Sequence, residues 1–164
     1  MWRIVKFTTL GLVFSGLLAL SSELAPATAA EGKQAIEKRI ALMKNGVLKN
    51  YLYVKNFVKE GKGTAAGVFA HAHLLKDASE QIVALFPKGT GRGNFDDKTT
   101  RALPKIWEDW DGFKKAADVL TVESAKMADV AQGGDKNAIA AQFGQLGKNG
   151  CGSCHKPFRG AKVK

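Results

Sequence analysis

The chain of 164 residues carries 25 lysines and arginines against 15 aspartates and glutamates, a formal net charge of +10, and 45% of it is hydrophobic. That length gives one domain with a single core, and so basic a surface should attract acidic partners and repel basic ones, at rates that fall as salt rises. There are two cysteines; with two residues between them a disulfide would close too small a loop to add much stability, so an oxidising compartment does not by itself explain the pair.

Residues 1–30 read as a secretory signal peptide. Arg3 and Lys6 make the start positive, the apolar run 7–20 is too short to span a bilayer comfortably, and small residues follow. Ala27-Thr28-Ala29 fits the A-x-A cleavage rule and Thr28-Ala29-Ala30 fits nearly as well, so the mature domain, 31–164, is expected to start at Ala30 or Glu31. Export argues against nucleic acid as the partner and for an acidic redox protein or an anionic membrane surface. No later segment is long and apolar enough to span a membrane, so no stable span is expected after cleavage. The basic residues are spread along the chain, a pattern that suits a solvated helical surface as well as a docking patch.

From Gly32 the pattern turns helical. Ile36, Ile40, Met43, Val47, Val54 and Val58 recur at spacings of three, four or seven, which predicts a long amphipathic helix ending near Gly61. Thr64 is the expected N-cap of a second helix with Val68, Ala72, Leu75, Ser79, Ile82 and Phe86 buried, stopped by Pro87. Residues 87–99 hold three glycines and no apolar period, hence a loop. A third helix should start between Thr100 and Pro104 and run through Ile106, Trp110, Phe113, Ala117, Leu120 and Met127 to Gly133-Gly134. Asp135 can cap a fourth, carrying Ile139, Phe143 and Leu146 on to about Phe158. Gly144, Gly147 and Gly150 weaken it by up to roughly 1 kcal/mol each and suggest close approach to a ring or a neighbouring helix. The fold class expected is all-α, an antiparallel up-down four-helix bundle with one covalently bound haem.

The haem is read from Cys151-Gly152-Ser153-Cys154-His155, a C-x-x-C-H run. Cysteines three apart lie on nearly one helical face, so both thiols can add to the two vinyl groups along one porphyrin edge. His155 then stands under the ring and offers an imidazole nitrogen to the iron. A haem-free redox dithiol or a zinc site competes with this reading. The dithiol should follow a buried strand, and zinc would need distant ligands.

What fills the iron's other face decides the function. The thioether candidates are Met43 and Met127; the imidazole candidates, His71 and His73, lie about 200° apart on a helix, so at most one faces the core. Arg39 and Met43, four apart, share a face of the first helix, and an arginine on an apolar face needs an acceptor, such as a haem propionate. On periodicity alone Met43 suits a core side chain as well as a ligand.

Three stretches in order, Ile36 to Lys44, Leu103-Pro104-Lys105-Ile106-Trp107-Glu108-Asp109-Trp110 with Phe113, and Cys151 to His155 followed by Phe158-Arg159, resemble the class II c-type cytochromes, the cytochrome c′ family, across the mature chain. In that family the residue four after the first-helix arginine faces the distal side of the haem. High-spin, gas-binding members carry an apolar residue there, and low-spin members have methionine. The resemblance therefore implies a low-spin member: haem c held by Cys151 and Cys154, iron ligated by His155 and Met43, Arg39 near the propionates and Arg159 close to the proximal histidine. Phe158 stands where many relatives have tyrosine. The function expected is that of a periplasmic one-electron carrier with acidic redox partners and no catalysis on a substrate. The alternative is a five-coordinate cytochrome c′ that binds nitric oxide or carbon monoxide, with Met43 only lining the distal pocket. Relatives also imply a possible homodimer through the first two helices, to which Tyr51, Tyr53 and Phe57 could contribute.

Overall fold

A computed structural model describes residues 28–163. The expected signal peptide lies, for residues 1–27, outside the described residues. Four rods follow. The first comprises α1 (Ala29–Ala41), a π-helical stretch Leu42–Leu48 and α2 (Lys49–Glu60). The second is α3 (Ala65–Glu80), trailed by a 3-10 turn, Val83–Leu85. After the loop come a single turn, α4 (Lys105–Glu108), and the third rod, α5 (Trp110–Gln132). The fourth comprises α6 (Lys136–Gln145), a second π-helical stretch, Leu146–Cys151, and α7 (Gly152–Phe158). This is the expected all-helical bundle, and the described residues form no strand, only isolated bridges Arg92 to Phe95 and Ala102 to Arg159.

The local signals sit where the sequence put them. Thr64 caps α3 by accepting from Gly67 N–H at 3.0 Å, and Asp135 caps α6 by accepting from Asn137 N–H at 2.8 Å. Gly61, at φ 65°, ends α2 in the left-handed conformation that only glycine adopts without cost. The third rod starts later than expected. Asp109 leaves helical geometry and turns its carboxylate back to accept from Gly112 N–H at 3.1 Å, so α5 begins afresh at Trp110. The second rod stops at Glu80, six residues early, and passes through the 3-10 turn to Phe86. α1 is capped by Thr28, which exchanges hydrogen bonds with Glu31, so its first turn overlaps the expected cleavage sites.

Val54, Val68, Leu75, Ile106, Phe113, Met127, Ile139 and Leu146 are essentially without solvent exposure, and each contributes roughly 1.5–3 kcal/mol by leaving water. Ile40 departs from its expected stripe and is 39% exposed. It lies about 40° from Ile36 on the side away from Arg39, and the buried face is centred between Ile36 and Arg39. Met127 is wholly buried in the core, which removes it from the ligand candidates.

Candidate haem site

Phe113 organises the end of the bundle that carries the motif. Its ring stands 4.8 Å from Phe86, 5.5 Å from Trp110 and 5.5 Å from Phe158, edge-on to the last. The α3 exit, the start of α5 and the end of α7 therefore meet on one aromatic cluster.

The fourth rod enters the motif through its π-helical stretch, an i→i+5 turn of the kind that recurs at functional sites. Gly150 is buried there, with space for a Cβ only at 3.1 Å from Leu120 and 3.3 Å from Leu146. Of the three glycines expected to allow close approach, this one does; Gly144 faces open space. Ser153 Oγ donates to Gly150 O at 3.3 Å, within the rod. Cys151 and Cys154 stand at the head of α7 as free thiols, partly buried against the core.

Burial raises both thiols, Cys154 to about 11, so they are protonated at neutral pH. His155 moves the other way. Burial first, then the nearby Arg159 and Arg101, lower it to about 4, leaving a neutral imidazole with a free lone pair. Arg159 Nη1 donates to His155 Nε2 at 3.4 Å, a contact that needs that lone pair. Two free thiols and one neutral imidazole on a single helical turn form a donor set that fits a covalently attached haem.

Arg39 is buried, 4% exposed, and finds its acceptors within the protein. Nη1 donates to Thr90 Oγ1 at 2.8 Å, and Nη2 to Thr90 O at 2.5 Å and Thr100 Oγ1 at 2.6 Å. The guanidinium carbon also lies 4.6 Å from the centre of the Phe86 ring. Burial lowers its pKa to about 10, so it stays charged. The need for an acceptor is thus met by two threonines that no sequence pattern singled out. Met43 sits in the first π-helical stretch, partly buried and packed against the core. His71 donates from Nδ1 to Asn50 Oδ1 at 2.7 Å and stacks on Tyr53, with ring centres 4.0 Å apart; His73 is exposed and edge-on to Phe69. Phe57, considered for a dimer contact, is core.

The family model of Cytochrome C′ matches residues 34–159. The chain belongs to that family. Its curated relatives include cytochrome c′ of Rhodospirillum rubrum, 35% identical over 54% of this chain and 57% of that one. Cytochrome c-554 of Cereibacter sphaeroides is 40% identical over 55% of this chain and 65% of that one. These matches span less than two thirds of either relative's length. Among solved structures, a nitric oxide complex of a single-residue variant of cytochrome c prime from Alcaligenes xylosoxidans superposes with a TM-score of 0.69 at 26% identity, covering 82% of this chain and all of that one. Another cytochrome c′, with a ligand-controlled dimer dissociation, reaches 0.69 at 26% identity over 84% of this chain and all of that one. The protein accordingly carries one haem c, covalently attached.

These findings correct the expectation of a low-spin electron carrier with Met43 and His155 as axial ligands. The matching family is that of cytochrome c′, and the nitric oxide complex is of such a protein. The physical reason is the double nature of methionine. A flexible apolar side chain fills irregular core gaps as readily as it ligates iron, and in the structure Met43 is among the side chains packed against the core.

Proposed function

We propose that the chain is an exported, periplasmic cytochrome c′ in which His155 alone ligates the iron and the Met43 side is left to a diatomic gas, nitric oxide or carbon monoxide. The observation that carries this is the packing of Met43 against the hydrophobic core while His155 stands neutral and free beside the two thiols. The bound haem supplies the iron at which the gas is captured. Cys151 and Cys154 fix the ring to α7, and the core around Phe113 keeps water from one side of the site. Arg39, held by Thr90 and Thr100, ties the loop to the helix that carries Met43.

The raised thiols favour this reading over a dithiol enzyme, whose reactive cysteine needs a lowered pKa. No catalysis on a substrate is assigned. The basic surface suits acidic redox partners, and exposed Leu48, Leu52 and Leu74 on the first two rods suit a second copy of the chain. No helix among the described residues is long and apolar enough to cross a membrane.

Carbon monoxide titration of the reduced protein tests the assignment. The native protein and Met43→Ala should both take up the gas readily, with affinities within about tenfold of each other and the same spin state before addition. A native protein that resists carbon monoxide until Met43 is removed would sink it.

A further inference from the structure

Beyond Phe158 the chain leaves the helix and pairs with the segment before α4. Arg159 is extended, at φ −115° and ψ 118°, and forms an antiparallel bridge with Ala102. Leu103 N–H donates to Phe158 O at 3.1 Å, and Gly160 N–H donates to Arg101 O at 2.8 Å. Arg101 Nε returns a bond to Gly160 O at 2.8 Å.

Arg92, in the glycine-rich loop, closes the arrangement. Its backbone N–H donates to Ala102 O at 2.8 Å, its Nε to Thr100 O at 3.2 Å and its Nη2 to Ala161 O at 2.5 Å. Asp97 lies 3.6 Å from Nε and leaves the fork turned toward the tail. Gly160 is buried directly beneath, where any Cβ would collide with Arg92 Nη1. One half-buried arginine thus joins both strands of the bridge, and the tail opposite it has no side chain to obstruct the contact.

We infer that Arg92 is a positioning residue for the proximal side of the haem: by clamping the segment 159–161 it holds the Arg159 guanidinium against His155. This rests on the reading of His155 as the iron ligand. A free arginine side chain loses up to about 2 kcal/mol of rotamer entropy when it is held in one place, so a single 3.4 Å contact does not localise it unless its backbone is already fixed. The bridge fixes that backbone, and Arg92 supplies the link from the bridge to Ala161. A cation held beside a ligating imidazole draws on its electron density, the kind of outer contact that tunes a metal site.

The test uses the haem-loaded protein and two readouts: the iron–histidine stretching band of the reduced form by resonance Raman, and hydrogen exchange at the Gly160 amide. Arg92→Ala should keep its haem, speed Gly160 exchange by about tenfold or more, and move the iron–histidine band in the same direction as Arg159→Ala. The double variant should move it no further, and Arg92→Lys should restore part of the parent position. An Arg92→Ala protein with fast Gly160 exchange and an unmoved band overturns the inference, as does an Arg159→Ala protein with the parent band. Absence of any such band in the parent removes the inference together with His155 as ligand, while Gly160 exchange still reports the clamp separately.

Discussion

At the scale of single residues, Arg39 shows how a sequence can state a need without stating what meets it. A charged side chain on an apolar helical face requires acceptors, and that much was legible from Ile36, Arg39 and Met43 alone. The acceptors proved to be Thr90 and Thr100, 51 and 61 positions away in a loop with no hydrophobic period, so no local pattern could reveal them. Replacing Arg39 with alanine leaves the Thr90 carbonyl unpaired in a buried site and removes the guanidinium over Phe86. The relief of burying a charge offsets part of the loss, so chemical denaturation should show a destabilisation of about 2 kcal/mol. Lysine should recover little of it, because a single ammonium cannot reproduce the fork that reaches two threonines at once. Met43 was legible as an inward residue and not as a ligand or a filler, since both uses demand the same periodicity.

At the scale of elements, the four helices could be read because each buries one stripe at intervals of three and four, and because Thr64, Asp135 and Gly61 mark ends by their chemistry. The two π-helical stretches could not. A turn widened by one residue leaves apolar spacings of four and seven almost unchanged, so Leu42–Leu48 and Leu146–Cys151 look like ordinary helix in sequence. The break at Asp109 was hidden for another reason: aspartate serves within a first turn and as a cap, and only the fold selects between them. Gly46, inside the first π-helical stretch, marks where that rod meets α3. A Cβ there would lie 2.9 Å from Ala78 Cβ, which is fixed to the α3 backbone and cannot swing away. Alanine at this position gains about 1 kcal/mol of helix propensity and costs about 1–3 kcal/mol of overpacking, so Gly46→Ala should lower the thermal midpoint. A raised midpoint would show that the two rods do not approach so closely.

At the scale of the whole molecule, a net charge of +10, a core sufficient for one domain and a haem-attachment run near the end together made the architecture readable before any coordinates. What the complete protein does was less readable, because the same bundle with the same Cys151, Cys154 and His155 serves a six-coordinate carrier or a five-coordinate gas binder. The choice depends on one side chain, Met43, and on whether its sulfur finds the iron or the core. Membership of the cytochrome c′ family and the packing of Met43 favour the open iron. The most direct test is the spectrum of the oxidised, haem-loaded protein at neutral pH, by visible absorption and electron paramagnetic resonance. A high-spin ferric signal, unchanged in Met43→Ala, is the predicted result; a low-spin signal with a far-red thioether band that disappears in Met43→Ala would contradict the account.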